Sequence, residues 1–437
     1  MGHLGHLKEE YHDLVKRLDA GPVGLPEPRD PRAWKGWKEI LEILYTPEEA
    51  ELASKMPVRP ESLEKLASRF GMAEADLKSK LDVMCDKGIV MDLVHPGRGK
   101  TSYLLAPPVV GFFEFSMMRA QDGIPKKRMA EALDAYTHGD ETFAQEVFGT
   151  DTVLGRAMVY ETALADDPLP DVMDWERTTA VIEGAKAWSV SLCYCRHKAE
   201  HLGKACDVPM ENCLSLNAGA EFVTRRQFGR AIDKCEALDI LIASREKGLV
   251  QIADNVLNRP SWVCNCCGCC CGQLQGINEF GIAAVNPSGF LAQNFPELCK
   301  GCSRCARACP IAAITMKPRR TGKARANDLL PEVNLETCIG CGVCAGACRK
   351  NSMRMIRRKK QPYIPTNAVE KALRMAMERN RLADLVFDQG HGLGSRFLHH
   401  VVKAITHLPP IQQILASKQL QSRFIRAAVS RIHDPTQ

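Results

Sequence analysis

The chain has 437 residues, 45% hydrophobic and 25% charged, with a formal net charge of +6. That length predicts two to four domains with sizeable cores, and the composition is that of a soluble globular protein. The opening MGHLGHLKEEYHDLVKRL reaches charged residues before any apolar run forms, and no run of 18 apolar residues follows, so no secretory leader or membrane span is expected and the location is read as cytoplasmic. Twenty cysteines in a reducing compartment exclude a disulfide scaffold and leave metal ligation or redox chemistry.

Residues 46 to about 106 read as helix, helix, hairpin. Pro60-Glu61-Ser62 opens an amphipathic segment carrying Leu63, Leu66 and Phe70, and Gly71 breaks it. A second segment carries Leu77, Leu81 and Met84 and stops at Gly88; IVMDLV, the turn HPGRGK and TSYLL then make a β-hairpin. This order resembles a winged helix-turn-helix, whose use is nucleic-acid or protein docking. The second helix carries Glu74, Asp76, Asp82 and Asp86 against Lys78, Lys80 and Lys87, a poor match to phosphate, so the protein-docking use is favoured. Residues 111 to 185 read as largely helical, with a Pro-punctuated linker near Asp166 to Asp171 and with Met117 and Met118 as core residues.

The stretch AWSVSLCYC alternates apolar Trp188, Val190, Leu192 and Tyr194 with Ser189, Ser191, Cys193 and Cys195. A strand of that period sets Cys193 and Cys195 on one face, as two ligands of one metal require, with Cys206 and Cys213 following in a Pro- and Asn-containing loop. Next comes a helix with Asp233 and Glu236 as a capping box, Leu238, Leu241 and Ile242 on its apolar face and Gly248 as its stop. WVCNCCGCCCG then packs Cys264, Cys266, Cys267, Cys269, Cys270 and Cys271 into eight positions. Residues 176 to 290 are therefore expected to form one module in which the two cysteine groups meet. Its centre is read as an iron–sulfur cluster held by Cys193, Cys195, Cys206 and Cys213, with some of Cys264 to Cys271 supplying a second or unusual centre. Structural zinc and a thiol/disulfide pair are the alternatives. Adjacent cysteines diverge, so some are expected to bridge irons or face solvent. His197, Lys198 and His201 are read as a solvated polar turn.

Cys299-x2-Cys302-x2-Cys305-x3-Cys309-Pro310 recurs as Cys338-x2-Cys341-x2-Cys344-x3-Cys348. The run resembles the ligand pattern of bacterial dicluster ferredoxins, in which three thiolates of one loop and a fourth from the other repeat hold each cubane. That resemblance implies Cys299, Cys302, Cys305 and Cys348 on one [4Fe–4S] cluster, and Cys338, Cys341, Cys344 and Cys309 on the second. Gly301, Gly340, Gly342 and Gly346 fit loops that approach sulfide closely. Two departures stand out: Arg349 replaces the second Pro, and the insert TMKPRRTGKARANDLLPEVN is longer than a compact ferredoxin has.

The insert carries Lys317, Arg319, Arg320, Lys323 and Arg325, and the end of the second repeat carries Arg349, Lys350, Arg354, Arg357, Arg358, Lys359 and Lys360. These are twelve of 58 basic residues, so the rest of the chain, which holds all 52 acidic residues, is net negative. A basic rim beside a redox centre steers an acidic redox protein or oxidoreductase subunit into contact; nucleic acid is disfavoured as a partner. The tail from Ser395 sets Phe397, Val401, Ile405 and Leu408 among basic residues, breaks at Pro409-Pro410 and resumes with Ile411, Ile414, Leu415, Phe424 and Ile432. It reads as two amphipathic helices suited to internal packing or peripheral membrane contact. DQGHGLGS, from 388, reads as a plain turn, and no flavin or nicotinamide motif is present.

The expected architecture is α+β and multidomain, with a mostly helical N-terminal half. It comprises N-terminal helices and a winged-helix-like domain (1–110), a helical linker region (111–175), the Cys-rich α/β metal-binding module (176–290), a ferredoxin-like dicluster domain (291–360) and the amphipathic tail (361–437). The layout resembles dicluster iron–sulfur proteins of anaerobes. The expected function is transfer of single electrons through two [4Fe–4S] clusters, plus an extra Cys-ligated centre, to or from a partner oxidoreductase. The alternatives are a reductive enzyme with an open iron in the middle module and a redox-sensing winged-helix regulator of DNA.

Overall fold

The computed structural model describes residues 7–95, 99–164, 174–319 and 329–387. They fall into two units, one running Val153–Pro365 and the other made of the chain before and after it. Among the described residues no helix is long and apolar enough to cross a membrane. The turn residues 96–98, the linker at 166–171, basic Arg320, Lys323 and Arg325, and everything from 388, including DQGHGLGS and the tail, lie outside the described residues.

In the flanking unit, Pro31–Leu44 starts where the Asp30 carboxylate accepts from the backbone N–H of Arg32 and Ala33 at 2.8 and 3.0 Å. Pro31 at the first helical position has no N–H to leave unpaired. Gly36 lets this helix pack backbone to backbone on Lys126–Gly139, since a Cβ there would stand 2.4 Å from the Ala132 carbonyl. Phe112, Phe113, Tyr136 and Phe143 meet largely edge to face in the core, and Met117 and Met118 are buried as expected.

Helices Pro47–Ser54, Leu63–Phe70 and Glu74–Lys87 precede the hairpin Val90–His95/Lys100–Leu105, whose second strand also pairs with Glu61–Ser62. Leu66, Leu77, Leu81 and Met84 are buried, and Gly71 and Gly88 close the second and third of these helices in the left-handed conformation.

The Val153–Pro365 unit is built on a seven-stranded sheet. Its order is Val285–Asn286, Gly155–Ala157, Val250–Asp254, Trp262–Cys266, Glu211–Leu216, Trp188–Leu192, Arg230–Ile232. All pairings are antiparallel except that of the first two strands. Val190, Leu214, Leu216, Ala253 and Val263 pack with Ile182 and Leu241 into one core cluster. Each of the Val, Leu and Ile side chains contributes about 1.5–3 kcal/mol by leaving water.

Helix Lys234–Glu246 is capped by Asp233, which accepts from the Glu236 N–H at 2.8 Å, while the Glu236 carboxylate turns to Arg230 at 2.6 Å. Its buried face is Ala237 and Leu241; Ile242, expected on that face, is 50% exposed. The residues beyond the sheet form two strand pairs, Phe290–Asn294 with Met353–Arg357 and Ile314–Pro318 with Leu329–Val333, each antiparallel. The short helices Arg304–Ala308 and Val343–Gly346 complete this part.

Candidate metal centres

Both cysteine repeats adopt the same local path. Cys305 lies on Arg304–Ala308 and Cys344 on Val343–Gly346, and both are buried. After the fourth cysteine of each copy the chain makes a left-handed turn three residues on, at Ala312 (φ 50°) and Asn351 (φ 49°). Arg349 therefore takes the place of the missing Pro without changing the turn, and Asn351 tolerates the left-handed conformation well. Gly340 also has positive φ, and a Cβ there would stand 2.2 Å from the Phe290 carbonyl; Gly301 likewise meets Leu329. At these two positions the crowding comes from the neighbouring strands.

Thiols of the two repeats lie near one another across the repeats as well as within them. Burial pushes Cys305 up, and Cys348 and Cys299 lie close enough to add to it. Burial pushes Cys341 up to about 12, with Cys309 and Cys338 adding to it, and raises Cys344, to which Cys341, Cys338, Cys309 and then Cys305 add. Thiols so buried resist ionisation as free groups, but as metal ligands they bind as thiolates. Hydrogen bonds are in place for such sulfurs: Gly301 N–H to Cys299 at 3.5 Å, Ala313 N–H to Cys309 at 3.3 Å, and a 3.2 Å contact between the Cys348 sulfur and the Ser352 hydroxyl. Despite its burial, Cys348 is held below the ordinary thiol range, Ser352 being the first of the groups that lower it.

Residues 298–352 match the family model described as the 4Fe-4S dicluster domain. This segment is a 4Fe-4S dicluster domain. Among curated proteins and solved structures, none matches the chain. The residues of the dicluster domain fit the groups its family binds, because its eight cysteines offer a thiolate for every iron corner of two cubanes.

Of the basic residues around the dicluster domain, several have structural work. Lys317 pairs with Glu332, and Arg357 with Glu176 at 3.0 Å. Arg358 donates to the Ser288, Phe290 and Cys338 carbonyls, and Arg319 to those of Pro296 and Cys299. Arg349, Lys350, Lys359 and Lys360 are exposed.

The middle cysteines are arranged differently from the sequence reading. The strand ends at Leu192; Cys193 is the N-cap of helix Tyr194–His201, so Cys193 and Cys195 meet across a helix start and not along a strand. The Cys193 N–H goes to the Met210 carbonyl at 2.8 Å, one rung past the Leu192–Glu211 pair, and helix begins at the next residue. Cys213, expected in a loop, lies on strand Glu211–Leu216. His197 and Lys198 are buried on the helix, not solvated, and the His197 and His201 Nε2 atoms are 3.2 Å apart.

The ten thiols split into six and four. Cys213 and Cys264 are neighbours at 4.0 Å because Glu211–Leu216 pairs with Trp262–Cys266 in the register Leu214 to Val263. Cys264 continues to Cys266, Cys266 to Cys271, Cys271 to Cys195, and Cys195 to Cys193 by sulfur–sulfur contact. Cys206 does not join Cys193, Cys195 and Cys213, as the sequence reading grouped it. It sits with Cys267, Cys269 and Cys270, all four sulfurs lying within 4.8 Å of one another.

Between the two groups lies Arg196, which sequence reasoning missed. It is 0% exposed, and donates to the Pro209 carbonyl at 2.9 Å, the Asn212 side chain at 3.0 Å and the Cys267 sulfur at 3.6 Å. Burial opposes its charge, but Cys193, Cys206 and Cys267 more than restore it. Cys267 is in turn pushed down to about 4, most by Cys270 and, against its burial, also by Cys269 and Arg196.

The turn Cys267-Gly268-Cys269 abuts the dicluster domain. A Cβ at Gly268 would stand 2.4 Å from the Pro310 carbonyl, next to Cys309, and the Asn278 side chain donates to that same carbonyl at 3.1 Å. A second tie runs from the Tyr160 N–H to the Cys341 carbonyl at 3.0 Å.

Proposed function

We propose that the chain passes single electrons through the two clusters of the dicluster domain, in series with a further centre in the ten-thiol module. The observation that carries the reading is the direct seating of the Cys267 to Cys269 turn on Pro310, one residue from a cluster ligand. When bound, the [4Fe–4S] clusters accept and release one electron at a time without making or breaking substrate bonds. Cys299, Cys302, Cys305 and Cys348 hold one, and Cys338, Cys341, Cys344 and Cys309 the other, leaving no iron corner open. The backbone N–H groups of Gly301 and Ala313 donate to sulfur, which sets the thiolates' charge and orientation.

The six-thiol chain of Cys193, Cys195, Cys213, Cys264, Cys266 and Cys271 is read as the seat of the further iron–sulfur centre. Six thiols exceed the four corners of a cubane, so these residues would offer such a centre more thiolates than a plain cubane takes. Exposed Arg349, Lys350, Lys359 and Lys360 attract an acidic redox protein or oxidoreductase subunit to the dicluster end. The winged-helix-like segment is read as a protein-docking element: helix Glu74–Lys87 presents Val83, 54% exposed, among charges of both signs.

The partner is tested by anaerobic stopped-flow. The dithionite-reduced protein should reduce an acidic flavodoxin-type acceptor with a rate that falls steeply as salt rises, and Lys359→Glu with Lys360→Glu should slow it about tenfold or more at low salt. A salt-independent rate, unchanged in the double variant, removes the basic rim from the account.

A further inference from the structure

The four-thiol group differs in kind from every other cysteine set in the described chain. Cys206, Cys267, Cys269 and Cys270 bring all their sulfurs within 4.8 Å of one another, and among the described residues no other group of three or more such ligand atoms does so. Four sulfurs about one tetrahedral ion at a metal–sulfur distance of about 2.3 Å are about 3.8 Å apart. A cubane carries each thiolate on a separate iron, which spreads the sulfurs farther. The Cys206–Cys267 and Cys269–Cys270 separations are both 3.6 Å, the spacing of ligands on one ion. The dicluster cysteines, assigned to cubanes, form no group this tight.

The charge around the group points the same way. Among the described residues Arg196, fully buried, has backbone and amide oxygens as its other hydrogen-bond partners and no carboxylate, so the anionic charge that a buried guanidinium requires comes there from sulfur. Four thiolates on a divalent ion carry a net charge of about −2, and one guanidinium offsets half of it. Cys269 is exposed, so the ion would sit at the edge of the module, against the dicluster domain.

We propose that Cys206, Cys267, Cys269 and Cys270 bind one mononuclear tetrahedral metal ion, Zn2+ or a single iron, as a centre separate from the six-thiol one. The inference rests on the reading of the middle module as metal-binding, and deepens it by dividing the ten thiols between two centres. Zinc and mononuclear iron share this ligand chemistry; a ligand-saturated zinc would lock the turn on Pro310, whereas an iron would add a one-electron site there.

The test uses the full chain purified anaerobically, with iron, zinc and acid-labile sulfide counted and X-ray absorption recorded at both metal edges, for wild type, Cys269→Ser and Cys206→Ser. The wild type should show zinc, or a minor iron component, in a four-sulfur shell at about 2.3 Å without a metal neighbour. Each variant should lose about one metal ion per chain and keep its sulfide unchanged. A loss of about four irons with about four sulfides would mean a cubane and overturn the proposal. Unchanged metal content in the exposed-site variant Cys269→Ser would overturn it too. If Cys206→Ser does not fold, the wild-type absorption edge and Cys269→Ser decide. The dicluster account is judged separately, by whether sulfide-linked iron survives in all three proteins.

Discussion

Cys309→Ser is expected to remove the cluster of the second repeat, not the cluster of its own. Because Cys309 is grouped with Cys338, Cys341 and Cys344, and Cys348 with Cys299 and Cys305, each substitution should cost about four irons and four sulfides per chain. The decisive readout is the EPR spectrum of the cluster that remains. Cys309→Ser and Cys338→Ser should leave the same residual signal, and Cys348→Ser and Cys299→Ser should share the other. Pairing of Cys309→Ser with Cys299→Ser would show that each repeat holds its own cluster and that the crossed assignment is wrong.

Arg196→Leu carries the second large effect. It removes a fully buried cation that faces thiols of both groups, and stranding buried negative charge costs about 3–5 kcal/mol. The loss should appear as faster release of metal from the four-thiol site to a chelator and as a lower reduction potential of the neighbouring six-thiol centre. The dicluster signals should persist, since none of the partners of Arg196 lies in residues 298–352. Arg196→Lys keeps the charge but not the planar fork that spans Pro209, Asn212 and Cys267, and should fall between the two. Metal retention and potentials equal to wild type in Arg196→Leu would remove Arg196 from any role at the site.

How much of this was legible in the sequence depends on the range of each interaction. The dicluster repeats were readable because their ligands, turns and glycines are fixed within a dozen residues, so spacing alone carries the geometry. The helices Leu63–Phe70 and Glu74–Lys87 were readable for the same reason, through Gly71, Gly88 and the buried Leu77, Leu81 and Met84. The alternation of Trp188 to Cys195 misled because it continues past the point where the Met210 carbonyl captures the Cys193 N–H and helix begins. The split of the ten thiols depends on the register of Glu211–Leu216 against Trp262–Cys266, a pairing across about fifty residues that no local pattern encodes. Arg196 was hidden for the same reason: an Arg in YCRHKAEH looks like a helix-surface residue until strand pairing buries it. Gly268 offered one faint signal, a glycine between cysteine pairs, which marks a close backbone approach.

Electron transfer through two [4Fe–4S] clusters is tested by the iron and sulfide content of anaerobically purified protein together with EPR of its dithionite-reduced state. The account predicts at least about eight sulfide-linked irons per chain and two magnetically interacting one-electron signals. Zinc in place of that iron, or a chain that holds its metal without sulfide and stays EPR-silent on reduction, would contradict it.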